Sequence, residues 1–426
     1  MRPRLAASIF SCLALFCAST LVADSAEWSR WGGPNENFII DSTLVPWGKG
    51  GPTEVFRVEL GAGHAAPTVA GDTVYGVHLD GDQYVLSAFG TADGASRWAY
   101  RWPAEAKGEE QVTQFGIGPN AMPLVHGGHV VAIGWNGELV AVDAKTGKLS
   151  WSKSLRQDYG LPHLRFGYSA APVPWGDRVV VSVGGRVGMV AFDVATGAEE
   201  WTSEAFAISY AAPRLLDVDG ERQLVTMTPD EVLGVAVDGD HSGAVRWRHP
   251  HVNQFTNNCI GPWLGEDGTM MVASQGDAGA QVIRVQKAPG GFKVEQLSRE
   301  KKVKFFHSIA IRRGDTVYGA SGDAFLLAFD VPTGKVLWQK RGFPKVNMVA
   351  AGERTLMLDV DGRLLLTTLD RDGVEVLAEA ELMTHPAWAP PTVVGQRVYL
   401  RDNEKLVALD LAPAPAAKKP AASRSR

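Results

Sequence analysis

The segment that decides the fold reads Ala141-Val-Asp-Ala-Lys-Thr-Gly-Lys-Leu-Ser-Trp151. Two close copies end at Trp201 and Trp338, and two degenerate copies end at Trp98 and Trp247. Successive copies are about 50 residues apart, except that roughly twice that distance separates Trp247 from Trp338, so this gap holds one further repeat. A sustained period of this length predicts one closed repeat architecture rather than a string of separate domains.

Each copy is typical of two strands joined by a tight turn. Apolar residues lead to an Asp, whose carboxylate accepts backbone hydrogen bonds in the turn, and a Gly adopts positive φ without a Cβ clash. The predicted turn residues are Asp143, Gly147, Asp193, Gly197, Asp330 and Gly334. A large ring on the outgoing strand suits packing between neighbouring sheets. The predicted docking residues are Trp98, Trp151, Trp201, Trp247 and Trp338.

A second hairpin precedes each of these segments. A run of small residues that ends in Pro, such as His64-Ala-Ala-Pro67, is predicted to form a first strand, and a turn joins it to a second strand such as Thr73-Val-Tyr75. Small residues suit an innermost strand, because backbones crowd together around the axis of a propeller. The chain is therefore predicted to be all-β, an eight-bladed β-propeller with four antiparallel strands per blade. Seven blades remain an alternative, because the motif has decayed in the fifth and seventh repeats.

The two ends of the chain carry different signals. Arg2 and Arg4 precede an apolar stretch and then small residues, which predicts a signal peptide over 1–26 with cleavage near 23–26. An N-terminal arm over 27–52 leads to the propeller at 53–411, and a Pro/Ala/Lys tail at 412–426 is expected to be disordered. The strand Glu54–Glu59 should complete the last blade, which ends at Leu411, and so close the ring.

Composition narrows the cellular setting and the partners. The formal net charge is −5, and the body of the chain has no basic run with interleaved aromatics, so nucleic acid is not an expected partner. Only Cys259 would remain after removal of the signal peptide, so no internal disulfide can form. We expect Cys259 to lie on an innermost strand as a small buried side chain. We expect a periplasmic or secreted monomer with no membrane span after processing.

The repeat resembles the hallmark Ala-x-Asp-x-x-Thr-Gly-x-x-x-Trp of the pyrroloquinoline quinone (PQQ) repeat family. The resemblance covers roughly Trp28 to Leu411 and includes the opening Trp28-Ser-Arg-Trp-Gly-Gly-Pro-Asn35. Quinoprotein dehydrogenases of this family hold PQQ above a Trp, with calcium on Glu and Asn and an Asp base. Compact repeats and a single mature Cys make this chain more similar to the non-dehydrogenase branch, such as the periplasmic propeller of the outer-membrane β-barrel assembly machinery.

The segments that lead into the innermost strands share one face of a propeller, which we call the loop face. Their first residues should surround the channel mouth and could form a ligand pocket. These candidates are His64, Asn120, Ser169, Tyr210, Asn258, His307, Asn347 and Trp388. An axial channel is wet, so a purely structural role of these polar groups is the competing interpretation.

The functional hypotheses follow in order. The first is a non-catalytic binding or scaffold protein of the cell envelope that meets a protein partner or a small extracellular ligand on the loop face. The second is a PQQ-dependent oxidoreductase with the quinone at the channel mouth, where Trp388 would be the stacking floor. The third is a polysaccharide-binding or -processing propeller that uses Trp388 and Phe255. The sequence assigns no catalytic residues and leaves enzymatic activity open; we expect no metal and no cofactor, with PQQ and calcium as the alternative.

Overall fold

The computed structural model describes residues 27–104, 116–322 and 324–412. The predicted signal peptide and residues 413–426 of the predicted tail lie outside this part of the chain. Among the described residues, no helix has the length and apolar character needed to cross a membrane.

The described residues form eight sheets arranged as the blades of a propeller, each with four antiparallel strands from the axis outward. Blades 1 and 2 comprise β3 (Thr68–Ala70), β4 (Thr73–Asp80), β5 (Gln83–Gly90), β6 (Ser96–Pro103), β7 (Leu124–His126), β8 (His129–Ile133), β9 (Glu138–Asp143) and β10 (Leu149–Ser154). Blades 3 and 4 comprise β11 (Val173–Trp175), β12 (Arg178–Ser182), β13 (Met189–Asp193), β14 (Glu199–Thr202), β15 (Arg214–Val218), β16 (Glu221–Met227), β17 (Glu231–Ala236) and β18 (Val245–Pro250). Blades 5 and 6 comprise β19 (Trp263–Leu264), β20 (Thr269–Ala273), β21 (Ala280–Ala288), β22 (Gly291–Glu300), β23 (Ile311–Arg313), β24 (Thr316–Ser321), β25 (Phe325–Asp330) and β26 (Lys335–Arg341).

The remaining two blades contain strands from both ends of the chain. Blade 7 comprises β27 (Asn347–Ala351), β28 (Arg354–Leu358), β29 (Arg363–Leu369) and β30 (Val374–Glu381), and β1 (Ile39–Ile40) adds a parallel strand beside β27. Blade 8 comprises β31 (Thr392–Val394), β32 (Arg397–Arg401), β33 (Lys405–Asp410) and β2 (Thr53–Glu59). A short helix, α1 (Leu155–Tyr159), follows blade 2, and one 3-10 turn spans Gly239–His241.

The prediction of eight blades is confirmed, and so is the closure of the ring. Strand β2 pairs antiparallel with β33, with Arg57 opposite Val407. Blades 5 and 7, whose motifs have decayed, both keep complete four-stranded sheets. The seven-bladed alternative is therefore wrong. Pairing the first long strand with the last one leaves the ring without an open joint.

The second and third strands of each blade lie between two neighbouring sheets, so both of their faces are buried. In β12 the run Val179-Val-Val181 is entirely buried, and all but the first residue of β5 is buried. Sheets covered on both faces have continuous apolar runs rather than alternating ones. The outermost strands, such as β26, alternate between half-buried and exposed residues because they border solvent.

The predicted turn and docking residues meet across blade boundaries. Asp143 Oδ1 accepts hydrogen bonds from the Thr146 backbone N–H and hydroxyl, at 2.8 and 2.7 Å. The indole of Trp98, in blade 1, donates to the carbonyl of Ala144 in blade 2 at 3.1 Å. The same relation joins blades 2 and 3 through Trp151, and blades 6 and 7 through Trp338. Trp247 instead donates within its own blade, to Gln223.

The N-terminal arm lies across the central channel. Trp28 forms an isolated bridge with Val69 of blade 1, and the Glu36 carbonyl accepts a hydrogen bond of 2.6 Å from Arg214 of blade 4. Strand β1 then pairs with β27 of blade 7. The arm leaves between blades 7 and 8, where the Thr43 carbonyl accepts a bond of 2.5 Å from Gln396. Residues 28–43 thus contact innermost strands on opposite sides of the ring.

Two local expectations need correction. The small-residue segments that end in Pro precede the innermost strands: β3 begins at Thr68, directly after Pro67. Cys259 likewise precedes β19 instead of lying on an innermost strand. Proline has no N–H to donate to a sheet, so these segments lead into the blades without hydrogen-bonding as strands.

Candidate functional site

A cavity of about 360 Å³ opens at the loop face, where the segments leading into the blades converge. Six of the eight predicted channel-mouth residues line it: His64, Asn120, Ser169, Tyr210, His307 and Trp388. The other lining residues are Trp31, Gly116, Trp135, Phe166, Ala212, Asn257, Cys259, Phe306, Lys345 and Pro390. Six of the sixteen described lining residues are Trp, Phe or Tyr, from the arm and from several blades, and such aromatic lining is typical of a small-molecule pocket.

The other two predicted residues, Asn258 and Asn347, do not line the cavity. Both are buried, and both side chains are hydrogen-bonded inside the protein. Asn347 Oδ1 accepts from the Ile309 N–H at 2.8 Å, and its Nδ2 donates to the Trp388 carbonyl at 3.0 Å. Asn258 donates to the Thr228 carbonyl at 2.6 Å. Asn347 therefore joins blade 7 to both of its neighbours, as the structural interpretation requires.

Three of the lining residues also connect neighbouring blades. The Asn120 amide donates to the Phe166 carbonyl at 2.9 Å, and the Ser169 hydroxyl donates to the Tyr210 carbonyl at 3.1 Å. The Tyr210 hydroxyl accepts from the Phe166 N–H at 3.4 Å. These bonds fix the lining side chains in place, so this part of the wall is preorganised.

The wall formed by blades 6, 7 and 8 carries the charge of the site. His307 packs edge-to-face with Phe306 and with Trp388, at centroid distances of 4.5 and 4.6 Å. The Lys345 ammonium lies 5.3 Å from the Trp388 ring centroid, in a cation–π arrangement. Burial, and secondarily the charge of Lys345, lowers the pKa of His307 to about 3. The imidazole is therefore neutral at physiological pH.

Sequence reasoning missed several lining residues, of which Trp31 and Lys345 are the most informative. Trp31 belongs to the arm, and its signal was the Trp28-Ser-Arg-Trp31 opening, which was assigned to no position in the ring. Lys345 has no motif of its own and is identified only by its position above Trp388. Cys259 also lines the cavity; burial raises the pKa of its thiol to about 12, and the thiol donates to the Asn257 carbonyl.

The cavity wall can be tested against the PQQ and calcium that the fold family implies. Calcium prefers six to eight oxygen ligands with carboxylates among them. The described lining residues include no Asp or Glu, and no cluster of three or more His, Cys, Asp or Glu occurs in the described chain. PQQ bears three carboxylates, whereas Lys345 is the one Lys or Arg among the described lining residues. The described lining residues therefore do not fit the calcium–quinone pair.

The fold and the site together define a PQQ-repeat β-propeller. It has eight four-stranded blades, a repeated Asp-x-x-Thr-Gly turn that contacts the tryptophan of the preceding blade, and a cavity on the loop face. A family model described as outer membrane protein assembly factor BamB matches residues 41–233 and 231–414. The chain belongs to this family. Comparison with curated proteins finds no sequence match.

Solved structures share the fold at low sequence identity. BamB from Moraxella catarrhalis is 20% identical, with 84% of this chain and 97% of that chain covered and a TM-score of 0.58. A europium-containing methanol dehydrogenase is 12% identical, with coverages of 89% and 90% and a TM-score of 0.61. Quinohemoprotein alcohol dehydrogenase from Comamonas testosteroni is 14% identical, with coverages of 92% and 82% and a TM-score of 0.61.

Proposed function

We propose that this protein is a non-catalytic scaffold of the cell envelope that docks a protein partner on its loop face. The observation that carries the proposal is the connection between blades 4 and 5, which presents two large apolar side chains to solvent on that face. Val252 is 58% exposed and Phe255 is 55% exposed. Exposed apolar residues grouped on one loop favour a protein–protein contact over a purely solvated surface.

The anchoring of this loop supports the same role. Asn253 Oδ1 accepts from the Phe255 N–H at 3.0 Å, while its Nδ2 donates to Asn258 Oδ1 at 2.9 Å. The Ser209 hydroxyl donates to the Thr256 carbonyl at 2.9 Å. A loop held by buried amides presents Val252 and Phe255 in a fixed geometry, which lowers the entropy cost of docking. Membership of a family described as an outer membrane protein assembly factor supports a partner in that process.

The test is site-specific photo-crosslinking of the full chain, produced in bacterial cells and located in their envelope. A photoreactive phenylalanine analogue replaces Phe255 in one variant and Leu149, 45% exposed on the outermost strand β10, in the matched control. We expect a discrete adduct with a component of outer membrane protein assembly from position 255 and none from position 149. The additional substitution Val252→Ser should weaken that adduct.

The opposite outcome would favour the quinoprotein alternative. Purified protein is incubated with PQQ, calcium, a primary alcohol and an artificial electron acceptor. Acceptor reduction that depends on all of these, together with no adduct from position 255, would overturn the scaffold proposal. The same fold in a methanol dehydrogenase makes this the relevant comparison.

A further inference from the structure

We propose that the loop-face cavity binds a small aromatic acid that spans the channel, with its acidic group beside Lys345 and His307 and a hydrogen-bond donor directed at Asn120. The connection between blades 4 and 5 contributes Asn257 and Cys259 to the cavity wall, but its exposed residues Val252 and Phe255 do not line the cavity, so the inference does not rest on the scaffold role. Three features of the cavity support it: the charge of its wall, two polar atoms without a hydrogen-bond partner among the described residues, and the aromatic lining.

The first feature is charge. Lys345 is the one Lys or Arg among the described lining residues, and no described lining residue is Asp or Glu. Its backbone φ is +48°, in the left-handed region that residues with a Cβ rarely adopt. Such conformations collect at functional sites, where they place a side chain at some cost in stability. Here the conformation accompanies an ammonium held over the Trp388 ring, which places a positively charged group on this wall of the cavity.

The second feature is a pair of buried polar atoms that make no hydrogen bond to the described residues, His307 Nε2 and Asn120 Oδ1. A buried polar atom left unpaired is destabilising, so each one calls for an explanation. The Asn120 Nδ2 already donates to the Phe166 carbonyl, so the atom that can meet a ligand is Oδ1, which accepts a hydrogen bond. The neutral His307 imidazole can donate from Nε2 to a carboxylate.

The positions of these two atoms define how a ligand would lie. Asn120 leads into blade 2 and His307 leads into blade 6, and these blades are opposite each other in a ring of eight. One molecule that satisfied both would cross the channel mouth, with its acid on the side of Lys345 and a hydroxyl or N–H on the side of blade 2.

The third feature is the wall between these two ends. Trp31, Trp135, Phe166, Tyr210, Phe306 and Trp388 supply aromatic surface. Trp31 belongs to the arm that lies across the channel, so the ligand would rest against the arm instead of passing through the ring. A volume of about 360 Å³ suits a compact ligand with one or two fused rings.

The test is isothermal titration calorimetry on the full mature chain with three defined probes. 6-Hydroxy-2-naphthoate carries both polar groups, 2-naphthoate lacks the hydroxyl, and 2-naphthol lacks the acid. We expect 6-hydroxy-2-naphthoate to bind at least tenfold more tightly than 2-naphthol, because only the acid forms a charge-assisted hydrogen bond. It should bind several-fold more tightly than 2-naphthoate, because the hydroxyl adds one neutral hydrogen bond.

Variants assign the two ends of the ligand. Lys345→Asn removes the charge but keeps a residue that tolerates left-handed backbone, and it should abolish the preference for the acid; Lys345→Arg should restore it. Asn120→Leu should abolish the preference for the hydroxyl. The exposed Lys148 provides the matched control, since Lys148→Asn changes the net charge equally and should leave all three affinities unchanged. Thermal melts identify any variant that misfolds, and ratios of affinities within one variant remain valid after a modest loss of stability.

Three outcomes would overturn the proposal. The first is no saturable heat from any probe at millimolar concentration, and the second is acid binding that Lys345→Asn leaves unchanged. The third is calcium-dependent binding of PQQ that displaces the naphthoates, which would assign the cavity to a quinone. None of these results bears on the crosslink from position 255, so failure here and failure of the scaffold role are distinguishable.

Discussion

At the scale of single residues, the repeated Thr-Gly of the motif serves two purposes at once. Gly197, in blade 3, has φ of +70°, and a Cβ built on it would lie 2.6 Å from the Trp151 ring of blade 2. Gly147 stands in the same relation to Trp98. The glycine is therefore required by its backbone conformation and by the indole that the preceding blade packs onto it.

This double role predicts an unequal response to alanine. Gly197→Ala should lower the free energy of unfolding by about 2–4 kcal/mol, from the left-handed conformation and from overpacking against Trp151. The matched control is Gly71→Ala, where φ is +57° but no atom lies within 4 Å of the new Cβ. It should cost about 1–2 kcal/mol. Chemical denaturation measures both values, and equal losses would mean that the contact with Trp151 contributes nothing.

At the scale of elements, blades are joined by buried side chains that reach the backbone of a neighbour. Arg401 of β32, only 1% exposed, is the clearest case. It donates to the carbonyls of Ala65 and Val77 in blade 1 at 2.9 and 2.6 Å, across the boundary between the last and first blades. Burial lowers the pKa of Arg401 to about 9, so the guanidinium still carries its charge at neutral pH.

Removing this connection should weaken the joint between the last and first blades. Arg401→Met keeps most of the side-chain volume but removes the hydrogen bonds to these buried carbonyls, and we expect a loss of about 3–5 kcal/mol in the free energy of unfolding. Arg101→Met is the control, because Arg101 forms an exposed ion pair with Asp80 and should contribute about 0–1 kcal/mol. Comparable losses from both variants would contradict a special role for Arg401.

Some elements were predictable from sequence patterns and others were not. Strands and turns were predictable because alternation, Asp and Gly act within a few residues of one another. The pairing of β1 with β27 was not, because a two-residue strand has no periodicity and its partner lies more than 300 residues away. The same holds for Lys345, whose relation to Trp388 arises only when two blades pack together.

At the scale of the whole molecule, buried histidines link stability to pH. Burial, the largest cause in each case, lowers the pKa of His78 and of His251 to about 4. Unfolding restores the ordinary value near 6.5, so the unfolded chain binds protons more readily than the native protein. The stability that these neutral, buried histidines contribute is therefore fully present above pH 6.5 and is lost as the pH falls from 6.5 through 4.

The prediction is that the free energy of unfolding is lower at pH 4.5 than at pH 7.5, by about 1–3 kcal/mol for each such histidine. His251 Nε2 lies 3.1 Å from the Ser274 hydroxyl, and His249 and Arg299 are its charged or titratable neighbours. His251→Gln should flatten the pH dependence, whereas His241→Gln, at an exposed position, should leave it unchanged. A His251→Gln variant with an unaltered pH profile would contradict this account.

The sequence by itself determined the architecture: the spacing of the tryptophans, the turn chemistry and the strand Glu54–Glu59 were enough to predict a closed ring of eight blades. These signals are local or periodic, so they can be recognised without knowing which segments pack against each other. Only the tertiary structure decided what occupies the channel. Trp31 reaches the cavity because the arm lies across the ring, and Asn347 turns away from it to join three blades. Such assignments depend on contacts between distant segments, which no local pattern encodes.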